Sequence, residues 1–563
     1  MMRCNMARRK PAPGSSRMYA LAFSLLLALQ ACGGGSSPSP APTPVDPGGA
    51  PGPVLPGCSL SYPVAGSASK PGVPDPKLGE QWHLQSATSS SEGIGASAAW
   101  ALGATGDGIR VAIIDGPIDT THEDYAANAA AGGVYDYRLR SASAPLPCTS
   151  NESHGTAVAG IIAAVRNNGL GGAGVAPSAK LAFYNPISTD KAADVADIAD
   201  ALGRDSTVND IYHSSWGSPD NGQLHTVTTA IETAVSNGLL GGRNGLGALY
   251  VFAAGNGGCL RGGACTNRDM AAFDGYLNLP GVIPVCAVNR AGALPSTGEE
   301  GENLLVCGLA GGGQKPQITT TSVQHAYRAD FDGTSAAAPM VSGVIALMLS
   351  ARPTLSWRDV RLILAATARE NQPADTSWES TALPRWGLPG VMKRFSRKFG
   401  FGVVDAEAAV RAAREWTSVG ATGSLKQCSL ESNRVIMIAD PVDESILWQS
   451  DSLEFTAQQC GFDLIETVEV RLTAEHQYSG DLRVRLLSPS LRASQLADER
   501  TCLDSRRSAD DCRPFQNWRL TSNRHVNESP AGAWTLQVAD AVPGKTGRLT
   551  GWSIKLSGRS SRP

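Results

Sequence analysis

Two rhythms of apolar positions divide the chain. Residues 111–114 (Val-Ala-Ile-Ile) and 248–253 (Ala-Leu-Tyr-Val-Phe-Ala) are short unbroken apolar runs, which predict strands buried on both faces. Residues 155–165 and 336–349 carry small and apolar residues at helical spacing and predict buried helices that open at His154 and Ser335. A last helical stretch, Asp405-Ala-Glu-Ala-Ala-Val-Arg-Ala-Ala-Arg-Glu-Trp416, ends this region. Beyond it the pattern alternates: Val468-Glu-Val-Arg-Leu-Thr and Leu482-Arg-Val-Arg-Leu-Leu read as half-buried strands of period two. The sequence therefore predicts an α/β body followed by an all-β module.

A further apolar run lies at residues 18–29, behind Arg3, Arg8, Arg9, Lys10 and Arg17. As a helix it covers roughly 18 Å, short of a hydrocarbon core of about 30 Å, so residues 1–32 read as a signal peptide. The run closes on Leu29-Gln30-Ala31-Cys32-Gly33, which is similar to a bacterial lipobox and makes Cys32 a lipidation site. Cleavage by the ordinary signal peptidase, leaving Cys32 a spare thiol, is the alternative. Gly33 beside the cysteine points to the outer membrane, by similarity to bacterial lipoproteins. Residues 33–57 hold 7 glycines and 8 prolines and have almost nothing to bury, so 33–71 reads as a tether.

Composition adds exclusions. With 563 residues, 42% hydrophobic and 18% charged, the chain is neither disordered nor fibrous and has room for two or three domains. The 48 basic and 51 acidic residues leave a net charge of -3, so no nucleic-acid partner is expected. Ten cysteines remain beyond Cys4 and Cys32, an even number that permits five disulfides in an oxidising compartment. Spacing does not give their connectivity, although Cys502–Cys512 and Cys428–Cys460 are within local reach. No C-x-x-C pair with nearby histidines exists, so zinc is not expected.

Three segments place reactive side chains in these surroundings. Asp115 ends the first apolar run, where open α/β sheets place their sites. His154 stands in Ser153-His-Gly-Thr-Ala-Val-Ala-Gly160 and Ser335 in Gly333-Thr-Ser-Ala-Ala-Ala-Pro339, each at the start of a buried helix. Singly, these are an ordinary turn residue, a structural histidine and a helix N-cap. Together they are a nucleophile, a base and an orienting carboxylate. Their order, Asp, His, Ser, and their local signatures resemble the subtilisin-like serine peptidases. That resemblance implies a mostly parallel sheet with helices on both faces, and an endopeptidase working through an acyl-enzyme. It also implies an oxyanion donor in Asn256, within Val251-Phe-Ala-Ala-Gly-Asn-Gly-Gly258. His122, in Asp119-Thr-Thr-His-Glu-Asp124, lacks the glycine and helix context and is not expected to be the base.

Asp75-Pro-Lys-Leu-Gly-Glu-Gln-Trp82, Arg243-Asn-Gly-Leu-Gly-Ala248 and Phe399-Gly-Phe-Gly-Val-Val-Asp405 resemble the kexin and furin branch, in patches over residues 72–415. The branch implies a calcium site with carboxylates from Asp75 and Asp124, the Asn168 side chain, and the carbonyls of Val165, Leu170 and Gly172. Ser214-Ser215-Trp216-Gly217 matches the strand that pairs with an extended substrate. Asp220 and Asp274 match pocket acids that would favour Arg or Lys before the cut bond. Glu299 or Glu300 is a further acidic candidate, as a calcium or a pocket ligand, in a stretch that does not align. Gly116, after the candidate aspartate, departs from the acid of dibasic-processing members and leaves broad specificity as an alternative.

Gly480-Asp-Leu and Gly532-Ala-Trp-Thr-Leu-Gln-Val-Ala-Asp540 resemble the P domain of kexin-like enzymes, which implies a β jelly roll over 425–559 after a catalytic domain over 72–417. Between Cys32 and Asp75 lie 42 residues, mostly tether. The expectation is folding without a pro-segment or with a separate helper protein. Protein or peptide substrates, a membrane contact only through the lipid, and a monomer complete the expectations. The class-level alternative is a non-catalytic surface lipoprotein using the fold for binding.

Overall fold

The computed structural model describes residues 58–60, 62, 69–88, 92–188, 193–259, 269–442, 445–504 and 509–561. The expected signal peptide, Cys32 and most of the expected tether lie outside the described residues.

Seven parallel strands form the central sheet: β1 Arg110–Ile114, β2 Ala129–Tyr135, β3 Lys180–Tyr184, β4 Ile211–Ser214, β5 Leu249–Ala253, β6 Val282–Val288 and β7 Val306–Leu309. They lie in the order β2-β3-β1-β4-β5-β6-β7. The order turns about β1, so the carboxyl ends of β1 and β4 border the crevice where sheets of this kind take ligands. Ile114 pairs with Ser214, which sets Asp115 and Ser215 side by side just beyond the strand ends.

Helices cover both faces, as predicted. The main ones are α1 His154–Ala163, α2 Val195–Gly203, α3 Thr229–Gly241, α4 Thr334–Ala351, α5 Trp357–Thr367 and α6 Ala406–Glu415. His213 of β4 reaches Ser342 of α4 (Nδ1 to Oγ 2.9 Å), which puts α4 on the His213 face. The adjacent residue Tyr212 and its register partner Tyr250 point the other way and stack at 5.0 Å. The Tyr250 hydroxyl donates to Leu202 O of α2 at 3.1 Å, so α2 lies on that opposite face. There Gly238 of α3 leaves room for the hydroxyl, since a Cβ would sit 1.8 Å from it. Among the described residues α4 is the one helix long and apolar enough to cross a membrane, but 83% of it is buried, so it is the core helix of the body.

The predicted period-two strands are present. Two antiparallel sheets make the C-terminal β-domain. One holds β8 Lys426–Ser432, β9 Ile436–Ile438, β11 Leu464–His476, β14 Phe515–Ser522 and β16 Gly547–Arg559. The other holds β10 Gln449–Phe455, β12 Leu482–Leu487, β13 Ala493–Ala497 and β15 Gly532–Asp540. Alternate residues of β12 are buried (Leu482, Val484 and Leu486) and pack with Trp534, Leu536 and Val538.

Disulfides join Cys58–Cys148, Cys286–Cys307, Cys428–Cys460 and Cys502–Cys512. Both local pairs anticipated from sequence form. Cys286–Cys307 links the paired strands β6 and β7, and Cys58–Cys148 spans 90 residues.

Candidate active site

Asp115 and His154 come together because a glycine permits it. At Gly155 a Cβ would meet Ile118 Cγ1 at 2.6 Å, Pro117 O at 3.2 Å and Asp115 Cβ at 3.3 Å. Its absence lets the first turn of α1 press onto the end of β1. His154 Nδ1 then lies 2.8 and 3.1 Å from the two Asp115 carboxylate oxygens. The acid is 3% exposed, so its charge acts on the imidazole with little solvent screening. Burial alone would lower the histidine pKa, but the Asp115 charge and hydrogen bond outweigh it and the net shift is upward. The ring edge packs on Phe331 with centroids 5.4 Å apart.

Ser335 is presented by a turn and a proline. Asp332 accepts hydrogen bonds from the backbone N–H groups of Gly312, Gly313 and Gly333, which fixes the entry to α4. Gly333 has φ 71°, and a Cβ there would sit 2.7 Å from Asn256 Oδ1, so the turn demands glycine on two counts. Pro339, four residues beyond Ser335, has no N–H to give to the Ser335 carbonyl. Ser215 Oγ supplies that bond instead, at 3.0 Å. In return the Ser335 hydroxyl donates to Ser215 O at 3.1 Å. Since Ser215 neighbours Asp115 across the β1–β4 pair, the three candidates share one corner of the crevice. In this arrangement the Ser335 hydroxyl is bonded to Ser215 O and not to the His154 imidazole.

Asn256 follows β5 and hangs over the same corner. Its Oδ1 accepts from Thr334 N at 3.0 Å, which directs the amide Nδ2 away from that contact. The Ser335 N–H belongs to the first turn of α4, whose amides have no intrahelical acceptor. The two groups can serve as donors to an oxyanion between them.

Beneath lies a pocket lined by Gly217, Asp220, Ala254, Asp269, Asp274 and Glu299 among others. Four carboxylates are packed here by two glycines. A Cβ on Gly257 would lie 2.7 Å from Asp220 Cβ and 2.7 Å from Asp269 Cβ, and one on Gly217 would lie 2.7 Å from Asp274 Oδ2. Asp220 accepts from Asn256 N, Asp274 from Ser218 N and Tyr276 N, and Glu299 from Gly257 N. Burial pushes Asp274 up to about 6. Burial and then mutual repulsion push Asp269 and Glu299 upward. So dense a set of acids concentrates negative charge that a cation would neutralise. Asp220 and Asp274 were anticipated. Asp269 was not, because it falls in Cys259–Phe273, a segment longer than the family's, and only its place before the buried run Met270-Ala-Ala-Phe273 hinted at it. Of the two further candidates, Glu299 is in the pocket and Glu300 pairs with Arg397 at 2.9 Å. Trp216, half-buried on the rim, donates its Nε1–H to Ile114 O at 2.7 Å, and Ser214 is buried at the end of β4.

His213 was also missed, an imidazole hidden in an apolar strand. It is fully buried, pushed down to about 3 by desolvation, and its Nε2 lies 2.7 Å from Ser215 Oγ. It thereby buttresses the serine that holds Ser335. His122 stays outside the site, with Nε2 3.0 Å from Ala326 O, as expected.

The candidate calcium residues gather from three segments around the 165–172 loop. Asp75 accepts from the N–H groups of Asn167, Asn168 and Gly169 at 2.7–3.2 Å. Asp124 accepts from Asn168 Nδ2 at 2.9 Å and Gly172 N at 3.2 Å, and Val165 N bonds to Asp124 O. Leu170 N is bonded to Asn168 Oδ1 at 2.9 Å. Burial pushes Asp124 up to about 7, and Asp75 adds repulsion. Asp75 and Asp124 are buried acids of the kind a hard cation takes, but the hydrogen-bond partners described for them are N–H groups, so the set fits one only with the Asn168 amide turned oxygen-inward.

A parallel sheet with an Asp–His pair at its carboxyl edge and a serine opening the adjacent buried helix defines the architecture of a subtilisin-type hydrolase. The chain matches the subtilase family over residues 106–402 and the proprotein convertase P-domain over 465–556, and it belongs to the subtilase family. It is 33% identical over 489 residues to Protease KEX1 of Kluyveromyces lactis, covering 87% of this chain and 61% of that one. It is 33% identical over 501 residues to a dibasic-processing endoprotease of Schizosaccharomyces pombe, covering 87% and 66%. The chain thus spans about two thirds or less of these relatives. A serine protease of Aeromonas sobria, solved with a chaperone, shares the fold at TM-score 0.73 and 23% identity, covering 87% of this chain and 96% of that one.

Proposed function

We propose that the chain is a serine endopeptidase that cuts after a basic residue. The observation that carries this is the Asp115–His154 pair at the end of β1, with Ser335 bonded to Ser215 at the end of the adjacent strand and a pocket lined by acids beside them. The Ser335 hydroxyl rotates from Ser215 O to His154, which takes the proton as the oxygen attacks the peptide carbonyl. Asp115 holds the imidazole in the tautomer that accepts at Nε2 and stabilises the imidazolium that forms. Asn256 Nδ2 and the Ser335 N–H receive the oxyanion. His154 then passes its proton to the leaving amine, and water releases the acyl group by the reverse steps. Ser214, Ser215, Trp216 and Gly217 line the extended substrate, while Asp220 and Asp274 receive the basic side chain before the cut bond. Gly116 in place of an acid supports no demand for a second basic residue.

Calcium at Asp75, Asp124, Asn168 and the carbonyls of Val165, Leu170 and Gly172 would supply charge neutralisation and loop rigidity, not chemistry. Export is supported by the N-terminal pattern and by four disulfides among the described residues, with Cys32 as the lipid-bearing residue. A separate folding helper is favoured by the chaperone in the A. sobria complex. The test is cleavage of a peptide library by the wild-type chain and by Ser335→Ala. Arg- or Lys-directed cuts lost in Ser335→Ala are expected, and equal turnover by the two would refute the reading.

A further inference from the structure

Segment 221–225 leads away from Asp220 and forms a side of the acid-floored pocket, which Gln223 and His225 line. Its outer side is held by the C-terminal β-domain. Leu503 N donates to Asn221 O at 2.8 Å, and Arg500 Nε to Gly222 O at 2.7 Å. Gln223 Nε2 donates to Asp511 O at 3.0 Å, while its Oε1 accepts from Arg513 N at 3.0 Å. The two sides of this seam, residues 500–503 and 511–513, are tied by Cys502–Cys512. Gly222 is clasped from both directions, because its own N–H goes to pocket acid Asp269 at 2.8 Å. With φ 74° and a Cβ position 2.5 Å from Thr501 O, no other residue fits there without displacement. The two domains also share apolar packing at this point. Leu224, Met270, Ala272 and Phe273 are buried in the core cluster of the β-domain, not that of the α/β body.

Arg500 is the centre of the seam. It is 5% exposed, with its guanidinium 4.4 Å from the Phe273 ring centroid and 5.2 Å from that of Phe515. Nη1 reaches Ser479 O at 3.4 Å, and Nη2 has no hydrogen-bond partner among the described residues. Burial pulls its pKa down to about 10, with Asp269 the first charge opposing that pull, so it remains a cation beneath the pocket acids. A buried guanidinium that only filled space would be worse than a methionine of similar length, since its desolvation is costly. Of the other buried cross-domain arginines, Arg358 and Arg524 are matched to Glu466 and Glu302, while Arg361 bonds the Val282 carbonyl and the Asn523 side chain. Arg500 instead spends its Nε–H on the backbone of the pocket wall.

We propose that the C-terminal β-domain builds one wall of the specificity pocket and that Arg500 is its positioning residue, holding Gly222, and through it Asp269, in the place where a basic side chain fits. The identity of that side chain rests on the peptidase reading, but the pocket can be tested without turnover. Full-length Ser335→Ala protein is titrated calorimetrically with benzamidine, an amidinium mimic of an arginine side chain. Adding Arg500→Met is expected to weaken binding by about tenfold, the loss of one charged hydrogen bond, and Arg500→Lys to recover part of it. Gln223→Leu cuts the same seam without removing a charge and is expected to weaken binding about threefold, so it carries the test if Arg500→Met fails to fold. In proteins retaining Ser335, the preference for Arg over Leu before the cut bond falls with the affinity, whereas a merely structural loss lowers both rates alike. Unchanged benzamidine affinity in the variants, equal loss of both peptide rates, or no binding to Ser335→Ala itself would overturn the inference. Arg500-dependent binding in a chain that cleaves no peptide would uphold it and remove the peptidase reading.

Discussion

Glu466→Gln removes one charge from a pair buried between the two domains. Arg358 on α5 meets Glu466 on β11 through two bonds, Nε to Oε2 at 2.9 Å and Nη2 to Oε1 at 2.6 Å, with side chains 0% and 7% exposed. The same guanidinium spends Nη1 on the carbonyls of Val419, Gly420 and Ala421 and on Ser424 Oγ, so it cannot swing out to water. The amide keeps the shape of the acid but leaves the cation unneutralised and sets an NH2 against an N–H donor. Breaking a buried pair in this way costs about 3–5 kcal/mol. Arg559, 3.4 Å from Glu466, also loses its partner, which argues for the upper half of that range. Replacing both residues by Met removes both desolvation penalties, so the double variant should be less destabilised than the sum of the singles by about 2 kcal/mol or more. Urea unfolding followed by tryptophan fluorescence reads this directly, because Trp357 adjoins Arg358 and bonds Thr422 Oγ1 at 2.8 Å. A Glu466→Gln midpoint equal to wild type, or single losses that simply add, would refute the reasoning.

The pH dependence of turnover should rise through a pKa above 6.5, since the base must be neutral and Asp115 outweighs burial in raising His154. Asp115→Asn should cut kcat by about 10⁴ and move the acid limb to lower pH, which a pH–rate profile checks. Asn256→Leu should lower kcat with little change in KM, by about 2.7–4 kcal/mol in barrier, a magnitude carried over from another subtilase and read from steady-state kinetics. Gly155→Ala should cost about 1–3 kcal/mol in stability and a larger share of kcat, because the Cβ enters at Ile118 Cγ1 and levers α1 off Asp115. Thermal unfolding beside kinetics separates the two losses, and wild-type kcat would exclude the lever.

What could be read from sequence was local. The ends of β1 and β5 and the starts of α1 and α4 lie within a few residues of Asp115, Asn256, His154 and Ser335, so apolar pattern and motif fall in one window. The alternation of β12 survived for the same reason, its burial following each residue in turn. What escaped is held by contacts between distant segments. Arg358 and Glu466 are 108 residues apart, and nothing near either marks its partner. His213 stands in an apolar strand, where composition argues for a satisfied core histidine. Its link to Ser335 appears only when β4 and α4 pack together. Cys58–Cys148 and Cys286–Cys307 escaped likewise, since spacing says nothing about which strands become neighbours.

The pocket acids show why the two domains belong to one working unit. Asp220, Asp269, Asp274 and Glu299 repel one another, and three of them are displaced upward by burial, so the bare pocket is under electrostatic load. Such a load opens a pocket whose walls are free loops, and the segments 220–225 and 269–274 lie largely outside the regular elements of the sheet. Bonds within the body, His225 N to Phe273 O and Gly275 N to His225 O, tie the two segments together, and packing against the β-domain adds to them. Leu224, Met270, Ala272 and Phe273 turn their apolar surface into the β-domain core, while Arg500 approaches from the same side with the opposite charge. A domain that contributes no residue to the Asp–His–Ser corner can therefore still govern which side chain the corner is offered.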